Sequence, residues 1–259
     1  MAAKVPFEQR KRHILEQARP GEFLVVGELA KKFNVSEMTI HRDLNKLQQQ
    51  GQIEKTHGGA VPADRMEFEF DFASRRATNQ KPKKAIAQEA LKFIQPGQRL
   101  ILDTGTTTLE LAYLLKDFEN LTVITPSLAV ASVLQFSSGI QTVLLGGILR
   151  KGSPDLTGVV AEKVLDMFMV DIAFQGADGI GLNGELFNTD MRIAQVDKKM
   201  RKRANQTYIL CDSSKIGKID FASNGSLAEV NALITDSGIK PEQFQSLKKI
   251  CPEIIVCNI

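Results

Sequence analysis

The sequence predicts an α/β protein of two domains. A small winged helix-turn-helix is expected over residues 1–62, a linker over 63–82, and a larger, mainly parallel-sheet domain over 83–259. Three observations carry this expectation. Helical patterns followed by a hairpin signal fill the first part, and from Lys83 onward strands alternate with helices. Charge is also unevenly placed. Residues 1–63 hold ten Lys or Arg against seven Asp or Glu, while the remainder holds 23 of each, so the net +3 belongs to the small domain.

The elements follow in order. Residues 7–18 read as a helix with Ile14 and Leu15 on the apolar side, broken by Arg19-Pro20-Gly21. Residues 26–33 read as a second helix, with Leu29, Ala30 and Phe33 at helical spacing. After the short turn Asn34-Val35, a third helix runs from Ser36, a good N-cap, to Gln50, with Gly51 as its stop. Leu44 and Leu47 face inward. Residues 52–56 and 57–61 read as a hairpin, the wing. In the large domain, helices are expected at 83–94, 107–116, 127–136, 158–168, 190–204 and 241–249. Strands are expected at 99–103, 121–125, 141–145, 170–176, 207–212, 230–235 and 254–256. Such alternation means a mainly parallel sheet covered on both faces.

The region between the domains is charged, and Phe68, Phe70 and Phe72 alternate with acids there. These rings are candidates for a homo-oligomer interface or for packing on their own domain. No apolar run approaches the ~20 residues of a membrane span. The polar, basic start of the chain lacks the apolar core of a signal peptide, so a cytoplasmic protein is expected. Cys211, Cys251 and Cys257 have no paired close spacing, which points to buried thiols rather than to disulfides or zinc. No P-loop, nucleophile elbow or metal-ligand cluster is present, and neither cofactor nor metal is expected.

The small domain's geometry implies DNA. In this plan the second helix braces the third, whose N-terminal residues enter the major groove of a duplex. That face offers Ser36, Glu37, Met38, Thr39, His41 and Arg42. Arg42 can reach a guanine edge with two hydrogen bonds or pair with phosphate. Lys55 and His57 on the wing can reach phosphate or the minor groove. A charged helix in a protein-binding module is the plainer alternative, but it leaves the wing and the basic bias unexplained. Because one winged helix reads few base pairs, a dimer or tetramer is expected.

The large domain carries its chemistry at strand ends. Asp103-Thr104-Gly105-Thr106-Thr107-Thr108 follows a strand and opens a helix. Successive N–H groups there form an anion cradle, although the threonines serve equally well as helix caps. Four further polar or Gly-rich loops end other strands: Thr125-Pro126-Ser127, Gly146-Gly147 with Arg150 behind it, Gly176 to Gly179 around Asp178, and Asp212 to Lys215. In open parallel sheets, ligands bind at the carboxyl ends of the strands. Arg150 and Lys215 can neutralise a phosphate, and Asp178 and Asp212 can accept sugar hydroxyls. Any one of these residues alone is as well explained by a solvated loop.

The run from Val35 to Leu44, then Gly51 and His57-Gly58-Gly59-Ala60, resembles the signature of the DeoR family of bacterial transcriptional regulators of sugar metabolism. The family usually has Arg at the position of His41. Asp103 to Thr108, Leu145-Gly146-Gly147, Gly176 to Gly179 and Asp212 to Lys215 resemble its sensor motifs, so the resemblance spans nearly the whole chain. It implies a sensor fold similar to ribose-5-phosphate isomerase, a phosphorylated sugar as effector, and repression of a sugar-utilisation operon. It also implies effector roles for Arg75 and Lys83. Family members often have Asn in place of Pro126 and an acid in place of Pro82. The competing class is a phosphosugar isomerase with a DNA-binding appendage. Enzymes similar to that isomerase have an acidic pair after Gly-Ala, whereas here Asp178 is followed by Gly179 and Ile180.

Overall fold

A computed structural model describes residues 5–17, 24–50, 52–56, 59–62, 72, 75–150 and 153–259. The described residues fall into two units. The first holds those from 5 to 62, Phe72 and Ser153, and the second holds 75–150 and 154–259. The second unit thus begins at Arg75, inside the segment expected as linker.

In the first unit, α1 (Phe7–Gln17) is followed by β1 (Leu24–Val25), α2 (Val26–Phe33) and α3 (Glu37–Gln49). The hairpin β2 (Ile53–Thr56) and β3 (Gly59–Pro62) closes the unit, and β1 adds a third strand in the order β1-β3-β2. The turn between α2 and α3 rests on Asn34, whose left-handed backbone (φ 52°) ends α2; Asn tolerates that conformation at little cost. Ile14, Leu29, Phe33, Leu44, Leu47 and Ile53 form one buried cluster. Burying each such side chain stabilises by roughly 1.5–3 kcal/mol. Inside this apolar cluster lies an ion pair. Arg10 on α1 donates to both carboxylate oxygens of Asp43 on α3, at 2.6 and 3.0 Å, and both residues are buried. A third guanidinium donor bonds the Val5 carbonyl.

The second unit opens with α4 (Gln80–Leu91). Pro82 sits in its first turn, where the missing N–H has no intrahelical partner to lose. The helix therefore starts earlier than the expected 83. Then follow β4 (Arg99–Leu102), α5 (Thr106–Leu115), β5 (Leu121–Thr125), α6 (Leu128–Leu134) and β6 (Ile140–Leu144). A small hairpin, β7 (Ile148–Leu149) and β8 (Leu156–Thr157), precedes α7 (Val159–Leu165), β9 (Val170–Gln175), β10 (Gly179–Ile180) and β11 (Glu185–Asn188). The chain continues through α8 (Met191–Lys202), β12 (Ala204–Leu210), β13 (Ala222–Ser226), β14 (Ala232–Asp236), α9 (Pro241–Leu247) and β15 (Ile254–Cys257).

Seven of these strands form one parallel sheet in the order β15-β14-β12-β9-β4-β5-β6. Its central strands are buried almost continuously rather than in alternation, as expected of a sheet covered on both faces. Strands β10, β11 and β13 pair antiparallel in a separate small sheet. Sequence patterning does not expose this sheet, because its strands are short and β13 joins from far along the chain. Among the described residues, no helix is long and apolar enough to cross a membrane. The three cysteines are buried free thiols.

Replacing Asp43 with Ala leaves the Arg10 guanidinium buried without its counter-charge, a change that costs about 3–5 kcal/mol. Calorimetry of the full chain should show the first unit unfolding at a lower temperature, with the second unit's transition unmoved. An unshifted first transition would show that the pair contributes nothing net.

Candidate functional site

Each unit presents one candidate surface. On the first, the start of α3 is held open to solvent. Ser36 caps the helix: its Oγ accepts from the Thr39 N–H at 3.3 Å and lies 3.0 Å from the Thr39 hydroxyl. Ser36, Glu37, Met38 and Arg42 are exposed, while Thr39 and His41 are half-buried. Met38 is 64% exposed. Ile40, Asp43, Leu44 and Leu47 on the other side are buried, so the Arg10–Asp43 pair and the apolar cluster orient the exposed face. Lys55 lies on β2. His57, Gly51, Phe68 and Phe70 lie outside the described residues, and Phe72 is half-buried.

On the second unit, the parallel sheet brings the expected loops to one edge. Asp103 is buried just past β4. Its carboxylate accepts from the Thr104 N–H at 2.6 Å and from the Gly176 N–H, past β9, at 2.9 Å. Two neighbouring strand-end loops are thereby tied together. Gly105 has φ 119°, a conformation that a side chain strains against, and the chain turns there into α5. The Thr108 hydroxyl donates to the carbonyls of Asp103 and Gly105, at 2.9 and 3.0 Å. It is spent on holding the loop. Thr104 and Gly105 are half-buried, and Thr106 and Thr107 are nearly covered.

Ser127 is buried and caps α6, accepting from the Val130 N–H at 3.3 Å. Gly147 is a packing glycine: a Cβ there would come within 2.5 Å of the Thr157 carbonyl oxygen. Arg150 donates to Asp155 at 2.9 Å. At the next strand end, Asp178 accepts from the N–H and hydroxyl of Thr189, both at 3.1 Å, and faces Arg75 at 3.4 Å. Asp212 caps the turn that carries the half-buried Lys215 and accepts from Asn79 at 3.0 Å. The segment before α4 therefore runs along the Asp178 and Asp212 loops. Lys83 is buried and donates to the carbonyls of Arg75 and, at 2.7 Å, of Thr78. Desolvation lowers its pKa, Asp212 opposes the fall, and Lys215 and Arg75 add to it.

Sequence reasoning missed Asn79, Asp155, Thr189 and Asp197. Asp197 lies on α8 and is buried. Its Oδ2 accepts from Asn188 at 3.0 Å and Asn224 at 3.1 Å, and its Oδ1 has no hydrogen-bond partner among the described residues. Burial raises its pKa to about 7; Arg201 and the Asn188 donor oppose the rise, and Asp178 and Asp155 add to it. Burial also pushes the Asp103 carboxyl well above the usual carboxylate range, with Asp197 adding and the two backbone donors opposing. In sequence, Asp197 is indistinguishable from a solvated helix residue. Asn79 alone carried a weak signal, standing just ahead of a helix start.

Comparison with known proteins bears on both surfaces. The description "DeoR-like helix-turn-helix domain" matches residues 10–65, and "DeoR C terminal sensor domain" matches residues 78–237. Over 240 residues the chain is 38% identical to an uncharacterised HTH-type transcriptional regulator, YulB, of Bacillus subtilis (strain 168), covering 93% of each. It is 30% identical over 250 residues to a putative aga operon transcriptional repressor of Escherichia coli O157:H7, covering 96% of this chain and 93% of that one. It is 30% identical over 230 residues to the glycerol-3-phosphate regulon repressor of Escherichia coli (strain K12), covering 88% of this chain and 90% of that one. Among solved structures, ribose 5-phosphate isomerase A from Methanocaldococcus jannaschii is similar over 55% of this chain and 57% of its own, with TM-score 0.42 and 23% identity.

The Asp197 carboxyl makes stability depend on pH. Its folded pKa of about 7 lies above the ordinary 3.8, so the folded state keeps a proton that the unfolded chain releases. Stability therefore falls as pH rises between those two values and levels off above them. Asp197→Asn keeps an acceptor for Asn188 and Asn224. It should flatten the fall and raise Tm by a few degrees above neutral pH. Unfolding curves for both proteins from mildly acidic to mildly alkaline pH check this; parallel profiles would mean that Asp197 is ionised throughout.

Proposed function

The chain belongs to the DeoR family of DNA-binding transcriptional regulators, and on that premise we propose that it represses a sugar-utilisation operon and is released from its operator by a phosphorylated sugar. The observation that carries the reading is the gathering of Asp103, Asp178 and Asp212, with Arg75 and Lys215, along one edge of the parallel sheet. Cations there suit a phosphate, and carboxylates suit hydroxyls. The phosphate lies over Thr104 to Thr107, where the first N–H groups of α5 open the helix. The hydroxyls lie near Asp178, Asp212 and Lys215. Ser127, Gly147 and Arg150 frame the site on its far side, and Thr108 supports it from beneath. One relative is named a glycerol-3-phosphate regulon repressor, which fits an effector of that class.

Release requires that the ligand favour one of two arrangements, because it can shift DNA affinity only by its differential affinity for them. The segment before α4 is the moving part in this reading. Arg75 and Asn79 touch the Asp178 and Asp212 loops directly, so a ligand that takes over Asp178 or Asp212 competes with these contacts. The protein acts as a dimer or tetramer, which supplies a second α3 for a second half-site.

Operator binding should fall steeply with salt, with a slope set by the number of phosphates neutralised. Arg42→Ala should cost about 1–3 kcal/mol if the side chain reads a base, with less loss on random DNA. Equal losses on both DNAs would assign Arg42 to phosphate. Binding that stays flat between low and moderate salt would overturn the phosphate-led reading.

The pocket is tested by titrating preformed operator complex with a panel of sugar phosphates. Lys215→Ala and Thr106→Glu should both retain operator binding and both require more effector for release, the second because a carboxylate repels the phosphate. Release at the wild-type effector concentration in both variants would overturn the pocket assignment. Loss of operator binding before any effector is added would make these residues structural.

A further inference from the structure

The stretch of chain that forms the β6 end of the large sheet carries no charge. From Leu121 to Leu149, 29 consecutive residues include no Asp, Glu, Lys or Arg, in a chain of which 24% is charged. The run contains β5, α6, β6 and β7. Much of β5 is interior, where charge is not expected. The rest of the run includes a broad exposed surface. Leu128, Leu144, Ile148 and Leu149 are all exposed, and Phe136 is 88% exposed. Val160 on α7 lies against Gly146, and Ile148 lies against Gly158, so the apolar surface continues from the end of β6 onto the start of α7, where Val159 is also exposed.

β6 is the last strand of its sheet. Among the described residues, no strand pairs with it on its outer side, and its outward N–H and C=O groups form an open row. Sheets normally guard such an edge with charge, proline or a bulge. At the opposite edge, the exposed Glu253 directly precedes β15. Beside β6 runs a groove of about 490 Å³ between α6 and the strand, lined by Leu128, Ala131, Gln135, Ile140, Thr142 and Leu144. The Thr142 hydroxyl is buried without a hydrogen-bond partner among the described residues.

We propose that this face, made of β6, the outer side of α6 and β7, is the self-association surface of the protein, and that its occupant is the same face of a second copy across a twofold axis. Charge decides the occupant. A partner bringing carboxylates or ammonium groups onto this surface would bury them with no counter-charge. The aromatic segment Glu67-Phe68-Glu69-Phe70-Asp71 has three acids in five residues and is unsuited for that reason. An uncharged face is complementary to itself, as an isologous contact requires. A twofold axis perpendicular to β6 also turns the two β6 strands antiparallel, so that their open backbone rows face each other.

The inference rests on the self-association proposed above and places it on one surface. Analytical ultracentrifugation of the full chain tests it, with Leu144→Glu and Ile148→Glu on the face. Ile219→Glu is the control, an equally apolar position that is 78% exposed and outside the uncharged run. The wild type and Ile219→Glu should sediment alike as a dimer or larger. The two face variants should associate at least about tenfold more weakly, a loss of 1.4 kcal/mol or more. Hydrogen exchange on the wild type guards against variants that fail to fold: the amides of residues 140–144 should exchange more slowly as protein concentration rises. Face variants that associate like the wild type, a control that dissociates with them, or exchange at 140–144 that ignores concentration while the protein associates would each overturn the surface alone. A wild-type monomer throughout the micromolar range would overturn the self-association as well.

Discussion

Strand direction in the large sheet is the constraint on which the rest of this protein depends. A parallel strand must be re-entered from the same end, so every strand delivers its carboxyl terminus to one edge. β12, β9 and β4 are neighbours in that sheet. Asp212, Asp178 and Asp103, far apart in sequence, therefore stand in adjacent loops. The Asp103 carboxylate completes the arrangement by accepting an N–H from its own loop and one from the loop after β9. Were any of the three strands reversed, its acid would lie at the opposite edge.

That gathering has an electrostatic cost, visible in the groups around it. Asp103 and Asp197 are both buried, and burial raises both carboxyls. The surrounding amides limit the cost: Asn188 and Asn224 donate to Asp197, and Gln175 donates to its backbone carbonyl at 3.0 Å. Arg201 completes the set by donating to Gln175 at 2.9 Å. A network of this kind has few alternative arrangements, because removing one partner strands a buried polar group. It gives the sheet edge a rigid floor, against which the segment around Arg75 and Asn79 makes its few, partly exposed contacts.

The small unit solves a related problem with one ion pair. A helix that must present its starting residues to a partner needs its other face anchored. Leu44 and Leu47 supply burial, which is not directional. The two-pronged contact from Arg10 to Asp43 adds direction, since a guanidinium fork meets a carboxylate in one plane. The rotation of α3 about its own axis is thus set by α1, and Met38 and Arg42 face solvent as a consequence.

Much of this was legible in the sequence, for local reasons. Apolar spacing marked the helices and the buried strands. Ser36 capped its helix as its residue type suggests, and the Gly-rich and acidic loops after strands marked where a parallel sheet would place its chemistry. The turn at Asp103 to Thr108 was readable because cap, glycine and strand end are adjacent in the chain. Other features had no local trace. The helix expected from 83 starts at Gln80 because Pro82 costs nothing in a first turn. The small sheet of β10, β11 and β13 depends on pairing across a long separation. Asp43 and Asp197 look like ordinary helix acids until Arg10 and the pair Asn188 and Asn224 are brought to them. The sequence by itself determined which segments are helix or strand and which residue types end them, because caps, periodicity and turn chemistry act within a few residues. Only the tertiary structure decided which acids are buried, which loops share an edge and which strand is left open, because those depend on pairings between segments that no local rule connects.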